Sequence, residues 1–122
     1  MTNIQEALSQ QLDIKEALRQ VPLFTKLPES ELQWLCEQGY EVWREAGEVH
    51  RQEGSPADHV FVLLEGEIRI VQQVGNQQLV LTTYEPPTLF GELPVLMGQD
   101  KYWASGISVT RSRIFELPKE AF

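Results

Sequence analysis

Glu85-Pro-Pro-Thr-Leu-Phe-Gly-Glu-Leu-Pro-Val-Leu-Met97 is the stretch on which the reading of this 122-residue chain turns. On either side the sequence has a period of two. YEVW at 40–43, EVHRQ at 48–52, HVFVLL at 59–64, EIRIV at 67–71 and QLVLTTY at 78–84 are short runs rich in β-branched and aromatic residues. Turn residues separate them, at Ala46-Gly47, Gly54 to Ala57, Glu65-Gly66 and Gly75-Asn76. The pattern resumes at Tyr102 to Thr110 and at Arg113 to Leu117. Short strands this close together, with no helices between them, predict a mainly β fold, an antiparallel barrel or jelly roll. Where the rhythm breaks, two prolines and a glycine lead into one or two helical turns. A glycine between a strand and a short helix permits a tight turn, and the first free amides of such a helix point outward, where an anion can bind. Gly91 and Leu93 are the candidate donors. Glu92 has the chemistry to accept hydrogen bonds from sugar hydroxyls, and reads equally as an acid at the start of a surface helix.

Upstream, residues 3–20 place Ile4, Leu8 and Leu12 on one face, extended by Ala7, Ile14 and Leu18, with no Gly or Pro to interrupt a helix. Pro22 closes it. After the apolar linker Val21-Pro-Leu-Phe24, Pro28 to Gln38 predicts a second helix, with acids in its first turn, Gly39 after its last, and Leu32, Leu35 and Cys36 on its buried face. The expected organisation is a helical lead-in over 1–38 and a β-barrel over 39–122.

The length suits one domain, and 42% hydrophobic residues suffice for one core. The net charge of −8 argues against docking on a nucleic-acid duplex or an anionic membrane. That charge is lopsided. Residues 1–67 hold 13 Asp/Glu against 5 Lys/Arg, whereas 68–122 hold 5 of each, so an anion site is expected in the second half. Cys36, the single cysteine, forms no intramolecular disulfide, which favours a cytoplasmic location. The N-terminus is polar and acidic, and the longest apolar run is about five residues against the roughly 20 that a membrane helix needs.

Other residues invite functional readings. His50 and His59 lack the further ligands that a metal-binding jelly roll requires and are expected at the surface or in turns. Cys36 reads as a small buried hydrophobe, because no base accompanies it. Trp34, Trp43, Tyr40 and Phe61 are expected in the core, while Trp103, within the irregular segment, is a candidate ligand contact. No residue set supports hydrolysis or group transfer, so no catalytic residue is assigned and no enzyme is expected.

The glycines at 47, 54, 66 and 91, the run Val60-Phe-Val-Leu-Leu-Glu-Gly66, and the lead-in ending Val21-Pro-Leu-Phe24 together resemble the cyclic nucleotide-binding domain family. The family includes protein kinase regulatory subunits, the catabolite activator protein and many bacterial sensors. The resemblance runs from about Leu18 to Phe122. It implies an eight-stranded jelly-roll barrel preceded by helices, and a phosphate-binding cassette that usually reads F-G-E-L-A-L and, further on, R-x-A-S/T. Here the cassette-like segment is 89–105. Phe90, Gly91, Glu92 and Leu93 match its first part, with Glu92 placed to accept the ribose 2′-hydroxyl, and Ala104 and Ser105 match the A-S/T pair.

Two positions depart from the pattern. Tyr102 stands where the family has its phosphate-pairing arginine, and Pro94 stands where it offers a backbone N–H. A charge-assisted hydrogen bond is worth roughly 1.5–3 kcal/mol and a neutral one about 1. Losing both weakens binding by on the order of 2.5–4 kcal/mol, enough to move a micromolar ligand toward millimolar. Lys101, beside the vacated position, could supply a point charge in its place; Tyr102 and Trp103 could equally make the pocket apolar and suit it to another ligand. The expected function is a regulatory or sensor module of a larger bacterial signalling protein, with cAMP or cGMP as candidate ligands and reduced affinity for them. The family's lid helices and output domain are expected to be missing from this stretch. The alternative is a degenerate barrel kept for interaction or dimerisation, without a small ligand.

Overall fold

The computed structural model describes residues 14–122. The first predicted helix is therefore seen only over 14–20 (α1), and its residues Ile4, Ala7, Leu8 and Leu12 lie outside the described part. A 3-10 turn at Pro22–Phe24 leads to α2 (Glu29–Gln38), with Pro28 at its N-cap. Eight strands follow: β1 (Tyr40–Arg44), β2 (Val49–Arg51), β3 (His59–Glu65), β4 (Ile68–Val74), β5 (Gln77–Tyr84), β6 (Thr88–Phe90), β7 (Ser105–Ser108) and β8 (Ser112–Pro118). Between β6 and β7 lies the short helix α3 (Glu92–Leu96). The strands form two four-stranded sheets, β1-β8-β3-β6 and β2-β7-β4-β5, antiparallel throughout. This is the expected jelly-roll barrel. The break in sequence rhythm contains one strand that its prolines and glycine concealed, β6.

Strands β3 and β8 read as almost continuous apolar runs because both of their faces are covered. Phe61, Leu63 and Ile114 point between the sheets, where they pack with Ile68, Phe90 and Tyr102. Val62, Phe115 and Leu117 point the other way, into a second core with Leu18, Phe24, Leu32 and Leu35 from the lead-in helices. Cys36 is half-buried at the edge of that second core, and burial pushes its thiol pKa up. The barrel is thus bounded on one side by helices that fill a real hydrophobic face.

Three of the four aromatic residues expected in the core are not there. Trp34 is 47% exposed, Tyr40 49% and Trp43 39%. β1 is an edge strand, so its side chains have a neighbour on one flank only. Trp43 instead lies under the Arg111 guanidinium at 4.2 Å and donates to Glu41. Phe61 is fully buried, as expected. Among the described residues, no helix is long and apolar enough to cross a membrane.

Candidate ligand-binding site

β6 pairs with β3 only through Phe90, Leu89 and Thr88, and the chain must then leave the sheet abruptly. Gly91 makes that turn at φ 75°, in the left-handed region, and a Cβ there would lie 2.8 Å from the Phe61 ring. Only glycine meets both conditions without strain. The turn opens into α3, which is roofed by Met97 N–H donating to the Leu93 carbonyl at 3.0 Å and Gln99 N–H donating to that of Pro94 at 2.8 Å. Pro94 is buried. Beneath α3 lies a cavity of about 210 Å³, walled chiefly by Phe61, Ile70, Leu81, Tyr84 and Phe90. Its charged side chains are Glu92 and Arg51.

Glu92 lines the cavity and is half-buried, and burial pushes its carboxyl above the ordinary value. Gly91, Leu93, Tyr102, Trp103 and Ala104 line it too. Trp103 is 40% exposed, which places it at the mouth. Two other candidates lie elsewhere. The Ser105 hydroxyl accepts the Glu53 N–H at 2.8 Å, and its residue borders a neighbouring depression with Val49 and Gln73. Lys101 is exposed, bridges Pro56 through its backbone, and takes no part in the cavity wall. A point charge from Lys101 is therefore not what the site offers.

Tyr102 is not a side chain waiting to be displaced. It is 4% exposed. Its hydroxyl donates to the His59 carbonyl at 2.5 Å and accepts the His59 N–H at 3.0 Å. The cause is topological. β6 covers that flank of β3 only from Phe61 to Leu63, so the backbone of His59 has no strand partner on this side. One phenol satisfies both groups.

Sequence reasoning missed Arg51. Strict alternation places His50 and Arg51 on opposite faces of β2, but the register against β7 slips between Val49 and Arg51. That bulge turns both inward. His50, expected at the surface, is 5% exposed and packs edge-on against Phe61 at 4.7 Å. Its Nδ1 accepts from Arg44 at 3.1 Å, which leaves the proton on Nε2, 3.0 Å from Glu116. Burial lowers the His50 pKa below its ordinary value, against the opposing pull of Glu116. For Glu116 burial acts upward, but the His50 and Tyr40 contacts outweigh it and bring the carboxyl down to about 2. His59 begins β3, half-buried beside Asp58. Among the described residues no cluster of His, Cys, Asp and Glu could hold a metal ion.

A two-sheet barrel with helices on one face is matched in other proteins. The profile of the cyclic nucleotide-binding domain matches residues 41–122. The chain belongs to the cyclic nucleotide-binding domain family. Among solved structures, the regulatory domain of Toxoplasma gondii protein kinase A, crystallised with cAMP, is 24% identical with a TM-score of 0.88 over 100% of this chain and 45% of its own. The sensor domain of a transcriptional regulator from Pseudomonas aeruginosa is 24% identical, TM-score 0.87, over 93% of this chain and 76% of its own. The regulatory subunit of a cAMP-independent protein kinase A from Trypanosoma brucei is 18% identical, TM-score 0.82, over 93% and 42%. At these identities the likeness shows the fold. The chain spans about half the length of the first of these structures. No curated protein matches it by sequence.

Proposed function

We infer that this domain is a non-enzymatic sensor that takes a small molecule into the cavity beneath α3, and that cAMP and cGMP bind it weakly. The observation that carries this reading is Tyr102. In the cassette position that would hold a phosphate-pairing cation, it is buried and bonded at both ends of its hydroxyl to His59. Pro94, buried in the first turns of α3, has no N–H to offer. A cyclic phosphate seated against α3 would meet the Glu92 carboxylate and no cation from the segment 89–105 on the cavity wall. The Trypanosoma brucei relative is described as cAMP-independent, and a triple variant of it, with an arginine among its substitutions, is recorded with cAMP in its A site. The relatives' greater length supports a role as the regulatory part of a longer signalling protein, with the lid and output supplied by other segments of it.

Calorimetric and thermal-shift titrations with cAMP and cGMP test the weak-binding part. Dissociation constants in the millimolar range are expected, against the stabilisation of about 2.7 kcal/mol that a hundredfold excess over the dissociation constant would produce. Micromolar binding would overturn it. A second reading, an interaction or dimerisation module without a ligand, is favoured by one observation: on the edge strand β5, Leu79, Val80 and Leu81 are each about half exposed. Analytical ultracentrifugation of the wild type and of Val80→Lys distinguishes it, since that reading requires a dimer that the variant disrupts.

A further inference from the structure

The cassette contributes no cation to the cavity, yet a cation is there. Arg51 enters from β2, in the acidic half of the chain, and lines the cavity. Its guanidinium carbon lies 4.7 Å from the centre of the Phe61 ring and 4.9 Å from that of Tyr102. Packing on two rings fixes the plane of the group and leaves its edges to serve as donors.

Those donors are poorly used. The nearest carboxylates, Asp58 and Glu116, each stand 3.9 Å away, beyond hydrogen-bonding length. Glu116 is drawn instead toward His50, at 3.0 Å. The Arg51 Nε is buried and has no acceptor among the described residues. A partly buried guanidinium with idle donors is a costly arrangement that an incoming anion would complete, and in surroundings of low dielectric the pairing would be strong. Apart from Glu92 and Thr82 the rest of the lining is largely apolar, with Ile70 and Leu81 in the wall and Trp103 at the mouth.

We propose that Arg51 is the anion-binding residue of this pocket, and that the pocket takes a small organic anion with a flat apolar body, its charged group lying against β2 rather than against α3. The inference rests on the proposed function, in which the pocket is a ligand site. It deepens that reading by moving the anion contact from a cassette side chain to Arg51 of β2, stacked on Tyr102. A ligand so placed turns its other end toward Glu92, where a hydroxyl or amine would find an acceptor.

The test uses charge-matched probes on the intact domain. Indole-3-acetate and its neutral counterpart indole-3-acetamide, and likewise cAMP and adenosine, are titrated calorimetrically into the wild type, Arg51→Met and Arg51→Lys. The wild type is expected to bind indole-3-acetate at least tenfold more tightly than the amide. Arg51→Met should erase that advantage while leaving the amide unchanged, and Arg51→Lys should retain part of it. Equal binding of acid and amide by the wild type, or an advantage that survives in Arg51→Met, overturns the Arg51 assignment and leaves the pocket reading standing. If no probe of either charge binds, the pocket reading falls and takes the assignment with it. Should Arg51→Met fail to fold, Arg51→Gln takes its place with the same expected and overturning outcomes.

Discussion

Replacing Tyr102 with Phe removes one oxygen, and with it the partner of two backbone groups. The hydroxyl accepts the N–H of His59 at 3.0 Å and donates to its carbonyl at 2.5 Å, with the ring itself 4% exposed. In register, His59 faces Pro118 of β8, and the neighbouring bond runs from Lys119 N–H to the Asp58 carbonyl. The antiparallel pattern therefore turns both polar groups of His59 away from β8 and toward Tyr102. No strand lies on that side to replace the phenol. Each group left without a partner in a part-buried position costs about 1–1.5 kcal/mol, so the variant should lose about 2–3 kcal/mol. For a domain whose total stability is of order 5–15 kcal/mol, this is a large fraction. Urea unfolding followed by tryptophan fluorescence should show the midpoint falling by on the order of 1–2 M with an unchanged slope. A loss under about 0.5 kcal/mol would overturn this account, because it would mean that water satisfies His59 as well as the phenol does.

Acid should act through the barrel interior. The Glu116 carboxyl falls from an ordinary 4.5 to about 2 in the folded state, so its contribution of about 3 kcal/mol is present above pH 4.5 and is lost as the pH falls toward 2. His50, lowered below its ordinary 6.5, adds a loss of the same sign that begins below pH 6.5. Urea midpoints measured from pH 7 to 3 should therefore decline, and Glu116→Gln should flatten the lower part of that decline; a flat wild-type profile would contradict the pairing. Gly91→Ala places a Cβ at φ 75° and 2.8 Å from Phe61, so calorimetry should record a melting temperature lower by about 8 °C for a cost of about 2 kcal/mol. An unchanged melting temperature would show that the turn tolerates a side chain.

Much of the fold was legible along the chain because it rests on local chemistry. Pro28 and Gly39 bracket α2 as a proline at a helix start and a glycine after its end should. The β-branched runs from Tyr40 to Tyr84 became β1 to β5 within a residue or two at most ends. The turn into α3 was legible too, since Gly91 at φ 75° carries the chain out of β6 where a Cβ would meet Phe61. What failed was the assumption that chemistry type implies location. Trp34, Tyr40 and Trp43 are large and apolar enough for a core, but α2 and the edge strand β1 turn them outward. His50 is polar enough for the surface, but a bulge turns it in. Lys101 is near Tyr102 in sequence and outside the cavity in space.

That this is a barrel with helices before it, and that it belongs with the cyclic nucleotide-binding domains, follow from the order of residues. Periodicity and the placement of glycine and proline are enough. Which cation reaches the cavity is a matter of packing in three dimensions. Antiparallel pairing brings β2 of the acidic first half against β7 of the neutral second half, and a one-residue slip in that pairing turns Arg51 into the cavity beneath α3. No count of charges along the chain contains that slip, because register is set by packing between strands more than fifty residues apart.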